Sequence, residues 1–116
     1  MKKIYRILKN EEFKTVLNNH KCVSRENVKI FYKENEYRHI RVGISVSSKI
    51  GNSVVRHKVK RQITDIVDKN IDFENSLDIV IIAKNEFLNK TYTENCENLI
   101  IGLNKILRKD LKKDEK

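Results

Sequence analysis

The chain has 116 residues, 39% of them hydrophobic and 35% charged, which suits one compact domain with a modest core. Lys and Arg outnumber Asp and Glu by 25 to 16, so the formal net charge is +9 and polyanions are the expected partners. The longest apolar runs, such as 79–83, fall far short of the roughly 20 residues of a membrane-spanning helix, which excludes membrane residence. The basic amino-terminal segment lacks the apolar stretch of a secretory signal, so we expect a cytoplasmic protein with Cys22 and Cys96 as reduced thiols.

Hydrophobic periodicity and capping residues predict six elements in chain order. They are a helix over 10–18, strands over 28–32 and 40–47, a helix over 53–68, a strand over 78–83 and a helix over 91–109. The order α-β-β-α-β-α predicts an α+β sandwich, and the absence of repeats or linkers predicts a single domain over 1–116. We expect an ordered core over about 3–109 and a frayed basic tail from Lys112.

The positive charge is concentrated rather than spread along the chain. Residues 37–64 contain no Asp or Glu but seven Lys or Arg, and residues 1–10 add four more basic residues without an acid. A face that serves only solubility mixes both signs, so the concentration favours a phosphate-binding surface.

The helix over 53–68 combines this charge with an apolar stripe. Val55, Val59 and Ile63 share one face at 100° per residue, and Arg56 and Lys60 flank that face. Because basic groups surround the whole exposed arc, the pattern suits a folded RNA better than a flat membrane surface.

Residue types and spacings give no support for chemistry by the protein itself. His20, His39 and His57 are far apart, and the two cysteines lack C-x-x-C spacing, so we expect no metal site. Asp65 and Asp68 form the one close acidic pair on a basic helix, and such pairs are usually solvated. We therefore predict a binding protein without catalytic residues.

Aromatic residues are the natural complement of such a basic surface, because unpaired bases stack on them. Phe13, Phe31, Tyr32 and Tyr37 are candidates. The apolar pattern around Phe13 by itself favours a core anchor under the first helix, with a base-stacking role as the alternative.

One long stretch resembles a known family, the protein subunit of bacterial ribonuclease P. Residues 41–61 read RVGISVSSKIGNSVVRHKVKR, which is similar to that family's R-V-G-[IL]-S-V-S-K-K-[IVL]-G-x-A-V-x-R-N-R-x-K-R signature. Supporting matches are KNEEFKTVL around Phe13 and DIVIIA at 78–83, and the resemblance covers about residues 3–109.

The sequence departs from the signature in places, two of which affect the basic residues. The Lys-Lys pair reads Ser48-Lys49, and the Arg-Asn-Arg core reads Arg56-His57-Lys58. The charges of the core are kept, but Lys58 lacks the planar fork of Arg, and His57 can itself become charged.

The resemblance implies an α-β sandwich with a left-handed β-α-β crossover, and a function as accessory subunit of a tRNA-processing endonuclease. By this resemblance the chemistry belongs to a partner RNA that needs magnesium, the protein binds no cofactor, and the partners are that RNA and precursor tRNA rather than DNA. The implied RNA-binding residues are Arg41, Lys49, Arg56, His57, Lys58, Lys60 and Arg61. The implied residues of a cleft for the single-stranded 5′ leader are Phe13, Leu17, Ile30 and Lys60, which favours the cleft role for Phe13.

Two other functions are compatible with the charge pattern. A ribosomal-type or chaperone-like RNA-binding protein would not distinguish precursor from mature tRNA. A protein-only nuclease would cleave RNA when no other RNA is present.

Overall fold

The computed structural model describes the backbone of residues 1–114 and the side chains of residues 1–107. Within this part of the chain there are three helices, four strands and two short 3₁₀ turns. The helices and strands are α1 (Asn10–Asn18), β1 (Cys22–Ser24), β2 (Val28–Glu34), β3 (Arg41–Ser45), α2 (Ser53–Asn70), β4 (Leu77–Ala83) and α3 (Tyr92–Asp114). The predicted α+β order is confirmed, with β1 as one additional strand after α1.

The element boundaries differ from the predicted ones mainly where tertiary pairing decides them. α1 has the predicted bounds, whereas β3 is shorter than the predicted 40–47. The three-residue β1 is too short to show an alternating pattern, so the sequence offered no signal for it. α3 extends to Asp114, past the predicted end at 109, and the last two residues of the predicted frayed tail lie outside the described residues.

The four strands form one mixed sheet in the order β1-β2-β4-β3. β1 pairs with β2 and β2 with β4 in antiparallel fashion, whereas β3 and β4 are parallel neighbours joined through α2. The left-handed crossover that the resemblance implies at this parallel pair stays a prediction.

The sheet is covered on both faces, by different helices. α2 and α3 cover the face that carries the main core, and the predicted stripe of α2 is buried there at Val59, Ile63, Ile66 and Val67. α1 lies on the other face over a smaller apolar cluster. That second cluster consists of Ile7, Phe13, Val16, Leu17, Phe31, Val80 and Ile82.

The start of α2 is set by a side-chain cap. The Asn52 Oδ1 atom accepts a hydrogen bond from the backbone N of Val55 at 3.0 Å, which satisfies one of the free N–H groups of the first turn. The cap places the basic residues 56–61 in the first half of α2, directly after the loop that leaves β3.

Candidate RNA-binding surface

The first half of α2 and the loop before it present a dense group of cations. Because Val59 and Ile63 face the sheet, the basic residues of the helix are turned outwards. Arg56 is half-buried and the others are exposed, namely Lys49, His57, Lys58, Lys60 and Arg61. Six of the seven predicted RNA-binding residues therefore lie on one continuous segment.

A small cavity of about 220 Å³ opens beside the first turn of α2 and is lined in part by Arg56, His57 and Lys60. The Nε atom of Arg56 is buried and has no hydrogen-bond partner among the described residues. A buried donor without an acceptor is costly, and helix N-termini attract anions. The cavity is therefore suited to a phosphate by the cationic side chains that line it at the start of a helix.

A larger groove of about 1200 Å³ runs between the amino-terminal segment and α2. Its lining includes the cations Arg6, His57, Lys58, Lys60 and Arg61 and the apolar residues Ile7, Leu8, Phe13, Ile44 and Val54. The structure thus brings Phe13 and Lys60, two of the predicted cleft residues, to the same groove. A groove with apolar and cationic walls can take both the bases and the phosphates of a single strand.

The groove becomes acidic towards the carboxyl end of α2, where Asp65 and Asp68 line it. The Tyr92 hydroxyl donates a hydrogen bond to Asp65 Oδ2 at 2.7 Å, and the Lys69 ammonium lies 3.1 Å from the same atom. These two donors, the phenol first, lower the pKa of the Asp65 carboxyl. Asp65 therefore stays ionised, and the Asp68 carboxylate pairs with the Met1 amino terminus at 2.7 Å, so this end of the groove lacks the unpaired cations of the first half of α2.

The sheet face under α1 carries the other predicted cleft residues. Phe13 and Leu17 of α1 are half-buried and pack with Phe31 of β2 in one apolar cluster. The Lys29 ammonium lies 5.2 Å from the centre of the Phe31 ring, a cation–π distance. The α1 face thus combines partly exposed aromatic rings with positive charge.

The prediction of Ile30 as a cleft residue is wrong. Ile30 is completely buried and belongs to the main core on the α2/α3 face of the sheet. Its Cδ1 atom packs close to the backbone of Gly102 in α3. Since side chains alternate along a strand, the neighbouring Phe31 is the residue that faces α1. The sequence indicated Phe31 as an aromatic residue in a predicted strand, but it did not show which face of the sheet the side chain occupies.

The prediction of Arg41 as an RNA contact is also contradicted. Arg41 is buried, and its guanidinium is paired with Asp78 and Glu12. The hydrogen bonds to Asp78 raise the pKa of Arg41 against the opposing effect of burial, and Glu12 adds to the rise. The guanidinium also lies 4.1 Å from the centre of the Tyr37 ring. Its charge is therefore compensated within the protein and is not free for a phosphate.

The described residues contain neither a candidate metal site nor a membrane-spanning helix. Among them, no group of three or more His, Cys, Asp or Glu side chains is placed to hold a metal ion. No helix among them is long and apolar enough to cross a membrane. Cys22 is an exposed free thiol in β1, and Cys96 is a half-buried one in α3.

Comparison with known proteins gives consistent matches over most of the chain. The sequence profile of the family described as Ribonuclease P matches residues 1–107. The ribonuclease P protein component of Streptococcus agalactiae is 37% identical over 100 residues, which cover 86% of this chain and 92% of that protein. The corresponding protein of Bacillus cereus is 38% identical over 102 residues, covering 86% of this chain and 89% of that protein.

The fold also matches a solved structure. The chain is similar to a Staphylococcus aureus RNase P protein mutant with defective mRNA degradation activity, with a TM-score of 0.83 and 32% identity. The match covers 91% of this chain and 90% of that one. The sequence and the fold agree, and we conclude that this chain belongs to the ribonuclease P protein family.

Proposed function

We propose that this chain is the protein subunit that helps a catalytic RNA to remove the 5′ leader from precursor tRNA. The observation that carries the proposal is the groove in which Phe13 and the α2 cations line a common space. Single-stranded RNA offers unpaired bases and a continuous row of phosphates, and this groove offers a partner for each.

In this proposal the cationic segment of α2 binds the catalytic RNA. Lys58, Lys60 and Arg61 are exposed and point away from the apolar stripe, so they can reach phosphates without disturbing the core. His57 and Lys58 stand where the family signature quoted above has Asn and Arg. Lys58 would therefore contact phosphates as a point charge rather than by a bidentate fork. Lys49 in the preceding loop would extend the same surface.

The leader would lie along the face under α1. Phe13, Leu17 and Phe31 supply its apolar side, and Lys60 supplies charge where the groove beside α2 reaches Phe13. Phe31 takes the place of Ile30 in this proposal, because the Ile30 side chain is enclosed on the opposite face. A base stacked on an aromatic ring gains about 1–3 kcal/mol, which is enough to favour precursor over mature tRNA.

The chemistry would belong to the partner RNA. The chain would act by neutralising phosphates and thereby strengthening magnesium binding by that RNA, rather than by holding a cofactor. Because its substrate would be precursor tRNA, we expect the protein to act in the cytoplasm.

The test is precursor-tRNA cleavage at low, near-physiological magnesium with protein alone, candidate catalytic RNA alone, and both together. We expect efficient cleavage only in the mixture. Cleavage by the protein alone would move the chemistry to this chain. Tight RNA binding without any stimulation of cleavage would point instead to a ribosomal-type role.

A second experiment tests the leader contact. Phe31→Ala and Phe13→Ala should weaken binding of the reconstituted complex to precursor tRNA more than to mature tRNA. Phe73→Ala is the matched control, because Phe73 is a half-buried aromatic residue that stacks on Tyr5, 4.3 Å between ring centres. Equal losses for both RNAs in the Phe13 and Phe31 variants would contradict the cleft assignment.

A further inference from the structure

α1 is short and needs tertiary contacts to hold its position. It has nine residues, fewer than an isolated helix needs to be stable in water, and its capping residue Lys9 makes no side-chain cap hydrogen bond. Apolar packing by Val16 and Leu17 keeps it on the sheet. Such packing is not directional, so it does not by itself set the tilt of the helix.

A directional contact exists at the amino-terminal end of α1. The Nη1 atom of Arg41 donates to Glu12 Oε2 at 2.8 Å. The same guanidinium donates from Nε to Asp78 Oδ1 at 2.9 Å and from Nη2 to Asp78 Oδ2 at 2.7 Å. Arg41 and Asp78 are also paired neighbours on the parallel strands β3 and β4. The planar guanidinium is therefore held by the sheet, and its remaining nitrogen offers Glu12 one defined position.

This bridge lies next to the contact that positions Phe13. The Phe13 ring packs directly over Gly43, which is two residues beyond Arg41 on the same face of β3. The successive residues Glu12 and Phe13 thus contact two successive positions of that strand face. A shift of Glu12 relative to Arg41 would therefore move the Phe13 ring relative to Gly43.

We propose that Glu12 and Arg41 are positioning residues that set the tilt of α1 and hold the Phe13 ring at the distance from the sheet that the leader requires. This inference rests on the proposed function of the cleft. Buried ion pairs seldom exceed apolar packing in net stabilisation, and their best-attested use is to specify one arrangement. Here the specified arrangement is the wall of a cleft.

The proposal and simple electrostatics predict opposite changes in RNA affinity when Glu12 is removed. Removing an acidic group near an RNA-binding groove should strengthen RNA binding if charge alone matters. If Glu12 acts through the position of Phe13, its removal should weaken precursor binding instead. Glu11 is the matched control, because it is an exposed acid in the same first turn of α1.

The experiment compares Glu12→Ala, Glu12→Gln and Glu11→Ala in the complex reconstituted with the catalytic RNA. We expect Glu12→Ala to reduce precursor affinity roughly three- to tenfold, as for the loss of part of a base-stacking contact with Phe13, with mature-tRNA affinity unchanged. Glu12→Gln keeps an acceptor oxygen for Arg41 and should recover part of the loss, whereas Glu11→Ala should lose nothing. If Glu12→Ala and Glu12→Gln bind precursor equally well, and as tightly as Glu11→Ala, the inference is overturned.

A structural readout keeps the test independent of activity and of stability. The Phe13 ring shifts the NMR resonance of the Gly43 α-protons by its ring current, and Glu12→Ala should change that shift while α2 amide resonances stay in place. Unchanged Gly43 resonances would overturn the positioning role. If the unmodified protein itself fails to distinguish precursor from mature tRNA, the proposed leader cleft fails. If the unmodified protein distinguishes the two RNAs and the Glu12 variants do so equally well, the cleft stands and only the positioning inference fails.

Discussion

Gly43→Ala tests the contact between α1 and the sheet most directly. A Cβ atom at residue 43 would lie 2.5 Å from Phe13 Cζ and 2.6 Å from Cε1. Ordinary van der Waals contact begins near 3.4 Å, so the ring would have to move away by about 0.9 Å. This movement would shift the Phe13 ring, which forms one wall of the cleft, away from the sheet.

Two opposing terms decide the size of the stability change. Alanine in a strand interior is better than glycine by about 0.5–1 kcal/mol, whereas overpacking costs about 1–3 kcal/mol. We therefore expect Gly43→Ala to lower the free energy of unfolding by about 1 kcal/mol. Displacing the ring should also remove part of the stacking energy of a base, and a loss of about 1 kcal/mol would weaken precursor binding about fivefold.

The assay is denaturant unfolding of Gly43→Ala, Phe13→Leu and the double variant, with precursor and mature tRNA affinities measured in parallel. Leucine lacks the ring atoms that approach residue 43. The alanine should therefore cost at least about 1 kcal/mol less in the Phe13→Leu background. If the two substitutions are additive within about 0.5 kcal/mol, the steric reasoning is refuted.

Three further predictions separate the roles of individual side chains. Arg41→Ala should lower the free energy of unfolding by about 3–5 kcal/mol, because it leaves a buried carboxylate uncompensated. Lys58→Ala should change the free energy of unfolding by less than about 0.5 kcal/mol and should weaken RNA binding. Equal stabilities of the two variants in denaturant would count against the buried bridge. Lys60→Ala should reduce the slope of log affinity against log salt by roughly 0.7–0.9, one phosphate contact, and an unchanged slope would remove Lys60 from the interface. Tyr92→Phe should raise the pKa of Asp65 towards its ordinary value, measured by NMR titration, because the phenol is the main cause of its lowering. A lowered pKa adds stability above the unfolded-state pKa that is lost as the pH falls, so this contribution should shrink in the variant, and an unmoved pKa would contradict the assignment.

Local patterns along the chain were enough to predict most helices and strands and the cationic face. The stripe of α2 has a 3.6-residue period that needs no knowledge of the rest of the fold, and its burial at Val59 and Ile63 followed. The acid-free window from 37 to 64 likewise identified the basic segment that α2 and its preceding loop present. Such features depend on residues within a few turns of one another.

The cleft was predicted only in part because its residues come from separate elements. The choice between Ile30 and Phe31 depends on which face of β2 lies under α1, and alternation along one strand cannot show this. Arg41 looked like an available cation because its partner Asp78 is 37 residues away in sequence. Only the parallel register of β3 and β4 brings the two together and turns a predicted RNA contact into a buried bridge. The sequence by itself thus determined the charge and the local elements, whereas the pairing of distant strands decided which side chains reach the surface.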